Sequence, residues 1–224
     1  MRVTLGTTYY ENPDNLRLFI SNHIHHVDEL FVVDDGSSLY PIEDFIDEID
    51  YSNLTVYKVT KDYGFNSHGC RNLIGKMSKN DWIIFMDSDR VMNYPDDMMK
   101  NIKSRTNLKT NTRYRLIVTT NLHASVNDYF IHREHFFSAG GYDEELQGIR
   151  NGDRSFFRQL LAAGGKERVL YDCEIRFLRG PSTRKEASKN DRFMTKKEED
   201  LLQQRESSPN PNKPILMFEW KKLK

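Results

Sequence analysis

The sequence predicts an α/β protein: a mostly parallel central sheet with helices on both faces. Three observations carry that prediction. Short apolar runs alternate with helix-like segments through the first hundred residues, the rhythm of βαβ units. Trp82-Ile83-Ile84-Phe85-Met86 is an unbroken β-branched and aromatic run, the composition of a strand buried on both faces. The runs end in polar clusters, Thr7-Thr8-Tyr9, Asp34-Asp35-Gly36-Ser37 and Asp87-Ser88-Asp89. A parallel sheet brings such clusters to one edge, outside the carboxyl ends of its strands, where ligands bind.

Taken in order, residues 2–8 (RVTLGTT) read as the first strand. Asn12-Pro13-Asp14 then starts a helix, with Asn as cap, Pro in the first turn and an acid at the positive dipole end. Leu16, Phe19, Ile20, Ile24 and Val27 mark its apolar face. His23 shares that face, and His25 and His26 lie off it; with nothing to complete a metal site, the cluster reads as helix-surface residues. Residues 29–33 form the second strand, 42–49 a short helix, 54–59 the third strand and 67–77 a helix. The Trp82 strand follows.

Beyond Arg90 the spacing predicts a helix over 95–104, a polar loop over 105–113, and strands over 115–120 and 128–132. A short helix over 134–139 stops at Gly140-Gly141. After a loop, Asp153 opens a helix whose Phe156, Phe157, Leu160 and Leu161 face a core. Late strands are expected at 169–171 and 174–178, a basic polar loop over 179–192, and a last helix over 196–205. A Pro-rich stretch then leads to an apolar tail, 215–220, that must pack somewhere.

The 224 residues suffice for one good core. One domain is expected over 1–208, divided into a nucleotide-binding half (1–104) and an acceptor half with the basic loop (105–208), followed by a tail, 209–224. Formal net charge is +0, unevenly spread: residues 1–149 carry 15 Lys/Arg against 22 Asp/Glu, and 150–224 carry 18 against 11. A basic second part suits an anionic ligand, an acidic surface, the chain's own acidic half or plain solvent. Cys70 and Cys173 match no metal-ligand spacing and read as reduced thiols. No apolar run approaches the roughly 18–20 residues of a membrane helix, and no signal-peptide pattern opens the chain. The expected location is therefore cytoplasmic, with any membrane association peripheral.

The absence of GxGxxG and GxxxxGK[ST] removes support for a dinucleotide site and a P-loop. Asp87 and Asp89, at i and i+2 beyond a strand, suit a hard divalent cation. Turn-forming residues at a polar strand exit account for them equally well.

Four blocks in order decide between these readings: Phe31-Val32-Val33-Asp34-Asp35-Gly36-Ser37, Gly69-Cys70-Arg71-Asn72, Trp82 through Asp89, and Gly140-Gly141-Tyr142-Asp143-Glu144. Together they resemble family 2 glycosyltransferases with the GT-A (Rossmann-like) fold, over about residues 1–165. The resemblance implies a nucleotide-sugar donor, with UDP favoured, at the strand ends. Thr7, Thr8 and Tyr9 would line the nucleoside pocket, although the family's usual Pro is missing there. Asp34 or Asp35 would accept from the base or ribose, and Arg71 would lie near base and phosphates. Asp87-Ser88-Asp89 resembles the DxD motif, implying Mn²⁺ or Mg²⁺ on Asp87 and Asp89 against the diphosphate. Gly140 and Gly141 would line the donor-sugar side.

The resemblance also implies an acidic general base after the Gly-Gly block, commonly in a Glu-Asp pair; here that pair is Gly152-Asp153, so Asp153 is the candidate, with Asp143 and Glu144 in reserve. Asp is also a favoured helix cap, and Asp153 stands where a helix begins. Many relatives add a His to the metal after the acidic helix, but no His follows His135; Arg176, Arg179, Arg184 and Lys185 offer charge to the diphosphate instead. The implied reaction is inverting transfer to a hydroxyl acceptor, such as a glycan or glycoconjugate. Two rivals stand beside it. A sugar-nucleotide nucleotidyltransferase would need a Gly-rich basic first loop, where Gly6-Thr7-Thr8-Tyr9 stands instead. A non-catalytic binding descendant would have no use for Asp87, Asp89 and Asp153.

Overall fold

Helix and strand alternate through the first hundred residues because their apolar spacing does. A computed structural model describes residues 1–64, 66–120, 122–146, 152–178 and 196–224. β1 (Val3–Tyr9), α1 (Pro13–His23), β2 (Glu29–Asp34), α2 (Glu43–Ile46), β3 (Leu54–Val59), α3 (Ser67–Met77) and β4 (Trp82–Phe85) come first. They are followed by β5 (Arg90–Met92), α4 (Pro95–Ser104), β6 (Thr112–Val118), β7 (His123–His132) and α5 (Arg133–Ser138). A 3-10 turn (Glu144–Leu146), α6 (Gly152–Ala162), β8 (Lys166–Phe177), α7 (Lys196–Ser207) and β9 (Trp220–Lys222) complete the order.

The nine strands form one sheet in the order β5-β8-β6-β7-β4-β1-β2-β3-β9. Its β4-β1-β2-β3 block is parallel, as the first hundred residues predict. The second half makes the sheet mixed: β6 and β8 run parallel, whereas β7 lies antiparallel to both β4 and β6, and β5 antiparallel to β8. Successive strand residues feed opposite faces. Leu30, Val32 and Ile84 join one core with α1, α2 and α4, while Phe31, Val33, Ile83 and Phe85 join the other with α3, α5 and α6.

The Asn12 side chain caps α1 by accepting from Asn15 N at 3.1 Å. His23 departs from the helix-surface reading: it is fully buried, Met92 N donates to its Nε2 at 3.1 Å, and Nδ1 lies 2.6 Å from Phe19 O. The helix expected over 42–49 contracts to α2. The two late strands are one, β8, with an irregular register beside Leu116/Ile117. β5, only three residues long, needs β8 as a partner and leaves no periodic trace in sequence. The tail closes the sheet edge: Trp220 pairs with Val59, and Phe218 is buried in the α3 core.

Candidate active site

Parallel pairing puts three polar strand exits on one edge. Tyr9 stands opposite Asp34, Gly6 opposite Phe85, and Met86 N donates to Gly6 O at 3.0 Å. β7 adds side chains there because Tyr129 pairs with Phe85, so Asn127 and Asp128 lie beside the Asp87 turn.

Arg71, near the start of α3, ties this edge together. Its Nη2 donates to Asp87 Oδ1 at 2.8 Å, and its Nη1 donates to Asp153 Oδ1 at 2.6 Å and to the Tyr142 hydroxyl at 2.8 Å. Tyr142 in turn donates to Asp153 Oδ1 at 2.6 Å, and its hydroxyl lies 3.0 Å from that of Tyr129. The guanidinium thus joins a carboxylate at the end of β4 to one in the first turn of α6. Burial pushes the Asp153 carboxyl up, but Arg71, with His68 and Tyr142, outweighs burial and holds it below the ordinary carboxylate value. Its side chain is 27% exposed. Both hydrogen bonds from Arg71 and Tyr142 converge on Oδ1.

Asp89 is held differently. Arg90 Nη1 donates to its Oδ1 at 2.8 Å, and Arg90 Nε lies 3.5 Å from the buried Asp128 Oδ2. Asp128 Oδ1 also accepts from Asp87 N at 2.9 Å, and Asn127 Nδ2 donates to Asp87 Oδ2 at 3.2 Å. Ser88 occupies the turn between the two acids, half-buried.

The other expected donor-side residues sit on this edge with several of their polar atoms already engaged. Asp34 is buried and accepts from Ser37 N at 2.8 Å and Ile42 N at 3.1 Å. Asp35 accepts from Asn66 N at 2.9 Å and faces the Cys70 thiol at 3.4 Å; burial pushes its carboxyl well up. Thr7 is buried and Thr8 half-buried. Tyr9, expected in the nucleoside pocket, packs its ring edge-on against Phe45 at 5.8 Å within the core, and its hydroxyl donates to Tyr40 O at 2.5 Å. Like Val3 and Leu5, it faces that core from β1.

Gly140 and Gly141, expected on the donor-sugar side, form a tight turn. Both have positive φ (79° and 72°), and Cβ atoms there would lie 2.5 Å from Asn210 O and 2.5 Å from Asn72 Oδ1. They let the turn after α5 seat closely against the tail and α3. The reserve acids are likewise committed. Glu144 accepts from Asn72 Nδ2 and Leu216 N, each at 2.8 Å, and from Met217 N at 3.0 Å. Asp143 pairs with Arg205 of α7 at 2.8 Å.

Arg176 stands opposite Val91 in β8, exposed; Arg179, Arg184 and Lys185 lie outside the described residues. Sequence reasoning missed Tyr129, Tyr142, Asn127, Asp128 and His68 as site residues. A lone acid leading into the apolar run Tyr129-Phe130-Ile131 was the available signal for Asp128. His68 stacks on Tyr142 at 5.1 Å, and a Cβ on Gly152 would overlap its ring. This chain therefore carries glycine where a Glu-Asp pair would place its Glu.

Among the described residues, no three His, Cys, Asp or Glu side chains gather as a metal site. The residues present still fit Mn²⁺ or Mg²⁺. Asp87 and Asp89 offer only hard oxygen donors, and such ions need one or two carboxylates when phosphate oxygens and water complete the shell. No described helix is long and apolar enough to cross a membrane.

Residues 6–104 match the family model described as Glycosyl transferase family 2. No curated protein sequence matches the chain. Among solved structures, GalNAc-T7 with UDP, GalNAc and Mn²⁺ aligns with TM-score 0.63 at 13% identity, over 79% of this chain and 44% of that one. The mannosyltransferase PcManGT from Pyrobaculum calidifontis, in complex with GDP-Man and Mn²⁺, gives TM-score 0.63 at 15% identity, over 81% of this chain and 58% of that one. S. aureus TarS residues 1–349 give 0.52 at 16%, over 80% and 60%. The fold is that of GT-A glycosyltransferases, and the chain spans about half the length of the solved relatives it matches.

Proposed function

We propose, from a chain whose residues 6–104 match Glycosyl transferase family 2, an enzyme that moves a sugar from a nucleoside diphosphate to a hydroxyl acceptor. UDP is the favoured nucleotide, the acceptor a glycan or glycoconjugate, and the outcome inversion. The observation that carries this reading is the Arg71 bridge between Asp87 and Asp153. In this reading it joins a carboxylate on the diphosphate side to one on the acceptor side, so that both flank one reaction centre.

In this reading Asp153 takes the proton of the acceptor hydroxyl as that oxygen attacks the anomeric carbon and the bond to the diphosphate breaks. Arg71 and Tyr142 hold Oδ1 of Asp153 and favour its ionised form. Asp87 and Asp89 would hold Mn²⁺ or Mg²⁺, which when bound offsets charge on the departing diphosphate. Arg71 supplies fixed positive charge on the same side. Two buried free thiols, Cys70 and Cys173, suit a reducing, cytoplasmic compartment.

The test measures melting temperature against nucleoside diphosphates and nucleotide sugars with and without Mn²⁺, then sugar transfer to hydroxyl acceptors. A Mn²⁺-dependent rise with UDP is expected, abolished by Asp89→Ala. Asp153→Asn is expected to keep that rise and lower kcat by about 10²–10⁴-fold. Nucleotide binding without any turnover would leave a binding module.

A further inference from the structure

The buried carboxylate of Asp128 has no part in the proposed chemistry, yet it touches both ends of the Asp87-Ser88-Asp89 turn. At one end its Oδ1 accepts from Asp87 N at 2.9 Å. At the other its Oδ2 lies 3.5 Å from Arg90 Nε, whose Nη1 reaches Asp89 Oδ1 at 2.8 Å. Ser125 fixes Asp128 itself: its hydroxyl donates to Oδ2 at 2.6 Å and accepts from Asp128 N at 3.1 Å. The Arg90 guanidinium is seated with its carbon 3.4 Å from the centre of the Phe177 ring. Asp128, Arg90 and Ser125 are buried, and Asp87, Asp89 and Phe177 half-buried.

We infer that Asp128 is a positioning residue for the metal-binding carboxylates, holding Asp87 through its backbone and Asp89 through Arg90. This rests on the reading of Asp87 and Asp89 as cation ligands. A fully buried carboxylate is costly to desolvate unless its oxygens are partnered, and here two of the partners, Asp87 N and Arg90, belong to the two ends of the turn. Its negative charge has a further use here. Arg90 stands between two carboxylates and is shared between them. With Asp128 neutral, the guanidinium would belong to Asp89 alone and compete with a cation for that carboxylate.

The deciding measurement is Mn²⁺ binding in the presence of UDP, read from the electron paramagnetic resonance signal of free Mn²⁺, on the wild-type chain, Asp128→Asn and Arg90→Lys. Asn keeps an acceptor for Asp87 N but cannot hold Arg90 by charge. Lys keeps the cation but loses the planar reach between the two carboxylates. Both variants are expected to raise the Mn²⁺ Kd about 10–100-fold, the usual range for residues that orient metal ligands. Circular dichroism confirms folding at the temperature of the titration. Unchanged Kd in the folded variants overturns the inference, since a merely structural role lowers the melting temperature and leaves Kd alone. Should Asp128→Asn fail to fold, Arg90→Lys decides by the same criterion. A wild-type chain that binds no Mn²⁺ with UDP overturns the metal reading itself, an outcome distinct from equal binding by all three.

Discussion

A methyl group on Gly152 would occupy the space of the His68 ring, which stacks in turn on Tyr142. Gly152→Ala is expected to cost about 1–3 kcal/mol through overpacking. The cost should shrink when His68 is first truncated to Ala, because the obstacle is then gone. Urea denaturation of the two single variants and the double variant measures the coupling; strictly additive costs would refute the contact. At this scale the sequence offered residue types but not partners. Asp153 and Arg71 were legible as candidates because their blocks carry them. Their shared hydrogen bond was not, since 82 positions separate them in the chain.

Among the elements, the tail is the one whose role changed most. Ile215 to Trp220 was legible as an apolar segment in need of cover, without a destination. It crosses α3 and ends as β9 against β3, held midway where the Glu144 carboxylate accepts from Leu216 N and Met217 N. Glu144→Ala is expected to loosen this strap and to destabilise the chain by about 1–3 kcal/mol, since it also leaves the buried Asn72 amide without this acceptor. Chymotrypsin should then cut faster at Phe218 and Trp220 than in the wild-type chain. Equal rates at both sites would show that the strap is held by its apolar side chains alone.

For the molecule as a whole, three buried histidines set the response to acid. Burial lowers His23, His68 and His135 from 6.5 to about 4 each. His23 shows why: Met92 N donates to its Nε2, and protonation there would set two donors against each other. Between those values the unfolded chain binds more protons than the folded one. Their contribution is therefore complete above pH 6.5 and is lost as pH falls toward 4. Asp34, Asp35 and Asp128 work in the opposite direction, because burial pushes their carboxyls up and favours the folded state as they gain protons. The histidine part is isolated by His23→Gln, whose melting temperature is expected to lose less than the wild-type chain's between pH 7 and pH 4.5. Parallel profiles for the two chains would contradict a neutral, buried imidazole at His23.

Most strands and helices and the shared edge of the parallel block were legible in the sequence, because periodicity and turn chemistry are local, whereas the short β5 was not. Only tertiary structure decided which partners the polar residues find. Asp34, Tyr9, Glu144 and the Gly140-Gly141 turn are drawn into contacts with distant parts of the chain. Arg71, Asp153, Asp87 and Asp128 are drawn together. Hydrogen bonding and burial depend on neighbours in space, and for these residues the neighbours are supplied by folding.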